Sequence, residues 1–444
     1  MQSAAQATAP LATETFELAQ TTEVGCEIKA RSTGASWRRR GAEAAALLIK
    51  VDGVYNQDLL LWAGDEPFTY RIALGRLPKG KHVVSVELNK ARSAAVASRA
   101  EVLLLRRAPH LPAQNADDAT RAEDALAQSY SPILYARANT IDRFTDVQLL
   151  MYYEVERSSS NDFLVRYTVI FTHEDGGTPT PALMARWGRA TDIEWIYQLR
   201  VRDGRVVEEI YQGVEHETKA FTGTRHRGNH PLLAVASDNN NFSDLACSAV
   251  RFALLPHRVR LDRASRESVM DAEPWTYRIM TEELEREKRI SDKPVGTLIA
   301  DPRDYLYIEA YGEQKGTALA LDVRINGDEQ VYRSDLGDAR LRIDRSGYFR
   351  TAVRLPAATL PEAIATITAR CEKTASALSD NRICQRVELI KAFMLDRDYT
   401  PRPVKLPNQP PMILRPGAAA SFAAASRLVA GRRCSSSDLD SSLG

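Results

Sequence analysis

The chain lacks any apolar run near the roughly 18 residues that a membrane-spanning helix needs, so no transmembrane segment is expected. An excess of one charge sign is missing as well. Its 59 basic and 58 acidic residues leave a net charge of +1, which gives no bulk electrostatic support to a nucleic-acid partner. There is no GxSxG elbow, no GxxxxGK[ST] loop, no HExxH and no GxGxxG between strand and helix, so no organic cofactor is expected. The five cysteines, Cys26, Cys247, Cys371, Cys384 and Cys434, match no zinc spacing, and three of them read as free thiols. Cys371 and Cys384 differ from the rest: they flank one polar segment between strand-like runs, and a disulfide is expected there. The start, MQSAAQATAPLATE, has neither a basic region nor an apolar core, so a signal peptide is not present in this numbering. Its small residues suit the mature start of a secreted or periplasmic protein, and equally a disordered start.

At 444 residues and 44% hydrophobic content, the chain can fill several cores. Short alternating runs between turn signals predict a mainly β protein made of several β-sandwich, jelly-roll-like domains with a few short helices. Residues 1–13 read as a disordered N-terminus and 14–110 as a sandwich with turns at Asp52-Gly53 and Lys79-Gly80. Tyr55, Trp62 and Tyr70 are either its core or a carbohydrate platform. A proline-bearing linker leads to a helix capped at Asp117 or Asp118. Residues 120–300 form the central unit, with Asp203-Gly204 as a hairpin turn. Charges spaced i, i+4 in MTEELEREKRI predict an exposed helix. Residues 301–400 read as a C-terminal sandwich turning at Asn326-Gly327, and 401–444 as a proline-rich, biased, disordered tail.

Chemistry concentrates at 165–244. Five of the seven histidines (His173, His216, His226, His230 and the adjacent His257) lie in or beside this stretch. Carboxylates there, Glu174, Asp175, Asp192, Glu194, Glu215, Glu217, Asp238 and Asp244, suit a hard cation such as Ca²⁺, Mg²⁺ or Mn²⁺. In a strand, Asp192 and Glu194 share one face while Ile193 and Trp195 take the other. The metal set expected is Asp192, Glu194, Asp175 and His173; ligand contacts are expected from Glu217, His216, His230 and Arg189. Loops at 173–177 and 228–230 should close over the pair. A glycosidase reading would instead use Glu194 with Glu217 as acid and nucleophile.

ARWGRATDIEWIYQLRV, followed by GNHPLLAVAS, resembles the β-sandwich group of necrosis- and ethylene-inducing peptide-like and Vps62-type vacuolar protein sorting proteins. The resemblance covers roughly 120–255. Gly188-Arg189-Ala190-Thr191-Asp192-Ile193-Glu194 stands at the family's Gly-His-Arg-His-Asp-Trp-Glu heptad and keeps the glycine and both acids. It implies an ion at Asp192 and Glu194. Arg189 stands where a histidine belongs, which offers a guanidinium as an internal substitute for metal. The expected function is a secreted or periplasmic multi-domain β protein binding a polar ligand, such as a glycan or glycolipid headgroup, at a divalent-cation-supported centre. A polysaccharide hydrolase or lyase, and a structural or surface-interaction protein, remain alternatives.

Overall fold

The computed structural model describes residues 9–97, 99–108, 117–137, 144–159, 161–174, 176–374, 382–407 and 409–423. The first seven strands are β1 (Ala12–Leu18), β2 (Thr22–Ser32), β3 (Ala46–Val51), β4 (Val54–Leu60), β5 (Phe68–Leu77), β6 (Gly80–Leu88) and β7 (Ala100–Ala108). They make two sheets, ordered β1-β6-β3-β4 and β5-β2-β7. Asp52 (φ 53°) and Gly53 (φ 77°) both lie in the left-handed region, as the tightest hairpin requires, and β3 and β4 register through Val51 and Val54. Trp62 and Tyr70 are core residues, each 4% exposed, and Trp62 stacks on Trp275 with ring centroids 4.7 Å apart. Apolar surface that size is worth more buried than displayed, which removes those two rings from any sugar platform.

Asp117 caps α1 (Asp118–Ser129), its carboxylate accepting from the Thr120 amide. The central unit continues with β8 (Ile133–Tyr135), β9 (Gln148–Ser159), β10 (Asp162–Phe171), α2 (Thr180–Trp187), β11 (Ile193–Arg202), β12 (Arg205–Gln212) and β13 (Thr218–Ala220). Short strands follow: β14 (Arg225–His226), β15 (His230–Val235), β16 (Phe242–Ser243), β17 (Arg251–Phe252) and β18 (His257–Arg258). One sheet runs β13-β12-β11-β10-β9-β18; the other runs β14-β15-β8-β17, with β16 added to β15. Asp203 and Gly204 again supply two positive φ values at the β11–β12 turn.

Two helices close the unit, α3 (Ser268–Ala272) and α4 (Trp275–Arg286). The charged spacing of α4 predicts an exposed helix, and the structure corrects this: Tyr277, Ile279, Met280 and Leu284 are fully buried. The i, i+3, i+7 apolar stripe at 277, 280 and 284 decides the packing, because burying it outweighs a surface ion pair such as Arg278 with Glu282.

The last unit comprises β19 (Tyr305–Lys315), β20 (Thr317–Ile325), β21 (Tyr332–Arg333), β22 (Gly347–Arg354), β23 (Ile364–Lys373), β24 (Ile383–Leu395), β25 (Pro401–Pro403), β26 (Met412–Leu414) and β27 (Ala419–Ala423). Its sheets are β22-β19-β24-β25, with β26 on β24, and β21-β20-β23-β27. Pro401–Pro403, Met412–Leu414 and Ala419–Ala423 are therefore strands of this sandwich where a disordered tail was expected; 408 and 424–444 lie outside the described residues. Prolines are tolerated in β25 because it is an edge strand, with no inner ladder to break. After Asn326-Gly327 the chain runs on to β21 at Tyr332 in place of a two-residue hairpin. Cys371 on β23 and Cys384 on β24 are joined, Cα atoms 6.0 Å apart, so the bridge ties one sheet to the other through the core. Cys26 is a buried free thiol that burial pushes up to about 12, Cys247 is exposed, and Cys434 lies outside the described residues.

Both end sandwiches are welded to the centre. The Ala73 amide donates to the Ala253 carbonyl at 2.8 Å, so β5 continues onto the central chain. On the other side, Tyr307 of β19 meets Tyr277 of α4 edge to face at 5.6 Å.

Candidate functional site

The ladder between β10 and β11 runs past both strands: Phe171 N–H donates to the Asp192 carbonyl at 2.9 Å and Glu174 N–H to the Ala190 carbonyl at 3.3 Å. Alternation then puts Asp192 and Glu194 on one side and Ile193 in the core. Past Phe171 the ladder shifts by one residue, from Phe171 opposite Asp192 to Glu174 opposite Ala190, so Glu174 and not His173 joins the acids.

Three carboxylates thus gather at one end of the central unit: Glu174 (5% exposed), Asp192 (1%) and Glu194 (7%). Burial first, and then the charge of Glu194, pushes Asp192 up to about 7. Burial, followed by the charge of Asp192, pushes Glu174 up to about 7 as well. Asn240 Nδ2 donates to Asp192 Oδ2 at 3.1 Å, and the Thr178 amide donates to Glu174 Oε1 at 3.0 Å. The Asn240 Oδ1 atom is buried with no hydrogen-bond partner. At the rim, half-exposed His216 sits with Nδ1 3.9 Å from Glu194 Oε2 and Nε2 2.9 Å from Asn239 Nδ2. Glu215, His216 and Asn240 all hold positive φ (61°, 59° and 46°). Left-handed backbone at three non-glycine residues around one cluster is strain of the kind that collects at functional sites.

Gly188 ends α2 in the left-handed conformation and turns Arg189 inward. Its guanidinium donates to the Thr191 carbonyl, lies 3.3 Å from Glu267 Oε1 and reaches Asp192 Oδ1 at 3.8 Å. Arg189 is thus a buried counter-charge and not a ligand-contacting group.

The other expected site residues go elsewhere. His173 is fully buried against α4, its Nδ1 3.8 Å from Glu287 Oε2. With Glu283 and Glu287 it offers donor atoms within 4.8 Å of one another. Arg289 and Arg286 already neutralise those acids, at 2.9 Å from Glu287 and 3.6 Å from Glu283. His230 leaves the site for the N-terminal sandwich, where Nε2 meets Glu23 at 2.9 Å and Nδ1 meets the Ser131 carbonyl at 2.8 Å. The segment at 228–230 is therefore an interdomain clasp, and Asn239–Asn241 takes its place beside the acids. Glu217 is exposed and pairs with Lys219 at 3.1 Å, which removes it as a buried partner for Glu194. Asp175 lies outside the described residues. None of the three asparagines is among the site residues expected from the sequence, although the Asn run after Asp238 is a visible signal. Glu267 and Arg266 arrive from far along the chain with no local signal at all.

Glu283, 0% exposed, accepts from Trp37 Nε1 and Thr145 Oγ1, both at 2.8 Å, and burial foremost pushes it from 4.5 up to about 7. Its folded value lies above the unfolded one, so its stabilising contribution is complete below about 4.5 and is lost as pH rises through about 7. Glu283→Gln removes that proton uptake. Melting temperatures measured from pH 5 to 8 should fall less steeply for the variant, the difference amounting to about 3 kcal/mol at most. Parallel curves would show that Glu283 does not carry this dependence.

No protein-family model matches the chain, and no curated protein matches it. Among solved structures, the C-terminal domain of EclA, a sugar-binding protein, is 17% identical over 22% of this chain and 66% of its own, with a TM-score of 0.17. A ruminal GH26 endo-β-1,4-mannanase is 13% identical over 28% of this chain and 25% of its own, also with a TM-score of 0.17. The chain spans less than two thirds of either. At these scores neither likeness bears on what this protein binds, and the functional argument rests on the geometry at Asp192.

Proposed function

We propose that this multi-domain β protein holds a polar ligand, such as a glycan, at a divalent-cation-supported centre formed by Glu174, Asp192 and Glu194. The observation that carries the reading is the burial of three carboxylates together. Burial first, and mutual repulsion second, raise Glu174 and Asp192 to about 7, so near neutral pH each is held between a proton and a charge that a cation would offset. The donor set fits a hard ion: carboxylate oxygens dominate, and the buried Asn240 Oδ1 is a further oxygen in want of a partner. Arg189 supplies part of the neutralising charge and is itself committed to Glu267 and Thr191. The resemblance at 188–194 implies an ion at the same two acids, which agrees with this reading. Ca²⁺, Mg²⁺ or Mn²⁺ would supply positive charge and open coordination positions for ligand hydroxyls. His216 and Asn239, at the rim, are placed to contact what binds. The buried Cys371–Cys384 bridge supports export to an oxidising compartment.

Thermal melts test this. Each ion added to chelator-treated protein should raise the melting temperature, rising with the logarithm of its concentration above Kd, by about 2.7 kcal/mol of stability at one hundred times its Kd. Asp192→Asn should abolish the rise and, in chelator, melt no lower than the parent, since it removes a repelling charge. Absence of a concentration-dependent shift with all three ions would overturn the reading.

A further inference from the structure

Beside the carboxylate centre, arginines crowd around one acid. Glu267 is 2% exposed, and although burial opposes it, Arg189, Arg266, Arg350 and Arg345 together hold its carboxyl below the ordinary value. Two of these guanidiniums are consumed locally. Arg350 pairs with Asp271 and Glu309, and Arg189 with Glu267, Thr191 and Asp192.

Arg345 and Arg266 are different. Arg345 donates from Nη2 to the Arg186 carbonyl and lies over the Trp187 ring at 5.3 Å, but its Nη1 is buried with no partner. Arg186 Nε is buried without a partner too. The Arg266 guanidinium lies 3.7 Å from Glu267, beyond hydrogen-bond reach, and remains 35% exposed. Through Glu267, which also meets Arg189 at 3.3 Å, Arg266 stands beside the Asp192 cluster, and its charge is felt by Arg345 as well. Buried donors in a cationic group are costly to leave unmade. Burial first, with the charges of Arg186, Arg266 and Arg189, holds Arg345 down to about 10 even though Glu267 pulls the other way, so one carboxylate does not offset the surrounding guanidiniums.

We infer that Arg345 and Arg266 form an oxyanion subsite, which takes an acidic substituent, a carboxylate or a phosphate ester, of the ligand held at the carboxylate centre. This rests on the proposed reading that a polar ligand binds there, and it makes that ligand an acidic glycan in place of a neutral one. A guanidinium fork pairs two donors with two oxygens of a carboxylate or phosphate, and the unused Nη1 of Arg345 and the free edge of Arg266 supply such donors. Recognition of the acid is then separate from recognition of hydroxyls at Glu174, Asp192 and Glu194.

The test uses the full chain without added divalent ions. Arginine modification by phenylglyoxal, mapped by peptide mass spectrometry, is run with galacturonate, inorganic phosphate or neutral galactose. Modification of Arg345 and Arg266 should slow about tenfold when an anion is present at about ten times its Kd, and galactose should not protect. Protection by galacturonate alone assigns a sugar carboxylate; protection by phosphate alone assigns a phosphate ester. Either result supports the subsite. Equal protection by galactose, or none by either anion, overturns it. Arg345→Gln, where it folds, should lose the anion-dependent rise in melting temperature and keep the cation-dependent one, while Asp192→Asn should do the reverse. The two readings therefore fail separately.

Discussion

Replacing Arg350 with alanine will cost about 3–5 kcal/mol of stability, measured by urea unfolding of the full chain, because it leaves buried acids without their counter-charge. Arg350 is 0% exposed. Its Nη2 lies 2.7 Å from Asp271 and 2.5 Å from Glu309, and its Nη1 donates to Asp271 at 2.7 Å, to Tyr277 at 2.9 Å and to the Glu267 carbonyl at 3.1 Å. Without it, fully buried Glu309 keeps, among the described residues, only Lys391 as an ion-pair partner, at 3.5 Å. One side chain thereby joins β22 and β19 of the C-terminal sandwich to α3 and α4 of the centre. Removing both charges with Arg350→Met and Glu309→Leu should recover much of the loss, since a hydrophobic pair pays no desolvation. A loss under about 1 kcal/mol for the alanine variant would show that the network does not hold the units together.

The same network shows what the sequence carried and what it withheld. Local rules with a fixed geometry were legible. Asp52-Gly53 and Asp203-Gly204 form the tight turns expected, since few residues accept two positive φ values in succession. The pairing of Asp192 with Glu194 on one face followed from the strand period alone, but the choice of Glu174 over His173 did not: strict alternation from Phe171, which stands opposite Asp192, points to His173, and a one-residue shift in the ladder brings Glu174 instead. Arg189, read as a substitute for metal, does reach Asp192. What failed was whatever depended on a distant partner. The charges of α4 are genuine, but its fate was set by Tyr305, Tyr307 and Phe393, which bury the opposite stripe. Residues 401–423 look structureless until the open edges of β24 and β23 are known to receive them. His230 carries nothing to show that Glu23, 207 positions away, is its partner.

Gly188→Ala should be the other severe change, and it tests whether the turn before Arg189 and the buried Arg350 act as one feature. Gly188 has φ +62°, a conformation that costs an L-residue about 1–2 kcal/mol. A Cβ built there would also meet Arg350 Cγ at 2.6 Å, Arg350 Cδ at 3.0 Å and the Thr351 carbonyl carbon at 3.1 Å. An exposed arginine would swing aside, but this one is pinned at both ends of its guanidinium, so strain of about 1–3 kcal/mol adds to the backbone cost. The total, about 2–5 kcal/mol, should appear as a lower urea midpoint with unchanged slope. Because Gly188 also directs Arg189 toward Glu267 and Asp192, the surviving protein should show a smaller cation-dependent rise in melting temperature than the parent. The cause can be separated by a cycle with Arg350→Met. A thioether chain that is not pinned can yield to the new methyl group, so Gly188→Ala should cost less in the methionine background, with a coupling of about 1 kcal/mol or more. Full additivity would mean that backbone conformation alone demands the glycine and that the contact with Arg350 is incidental.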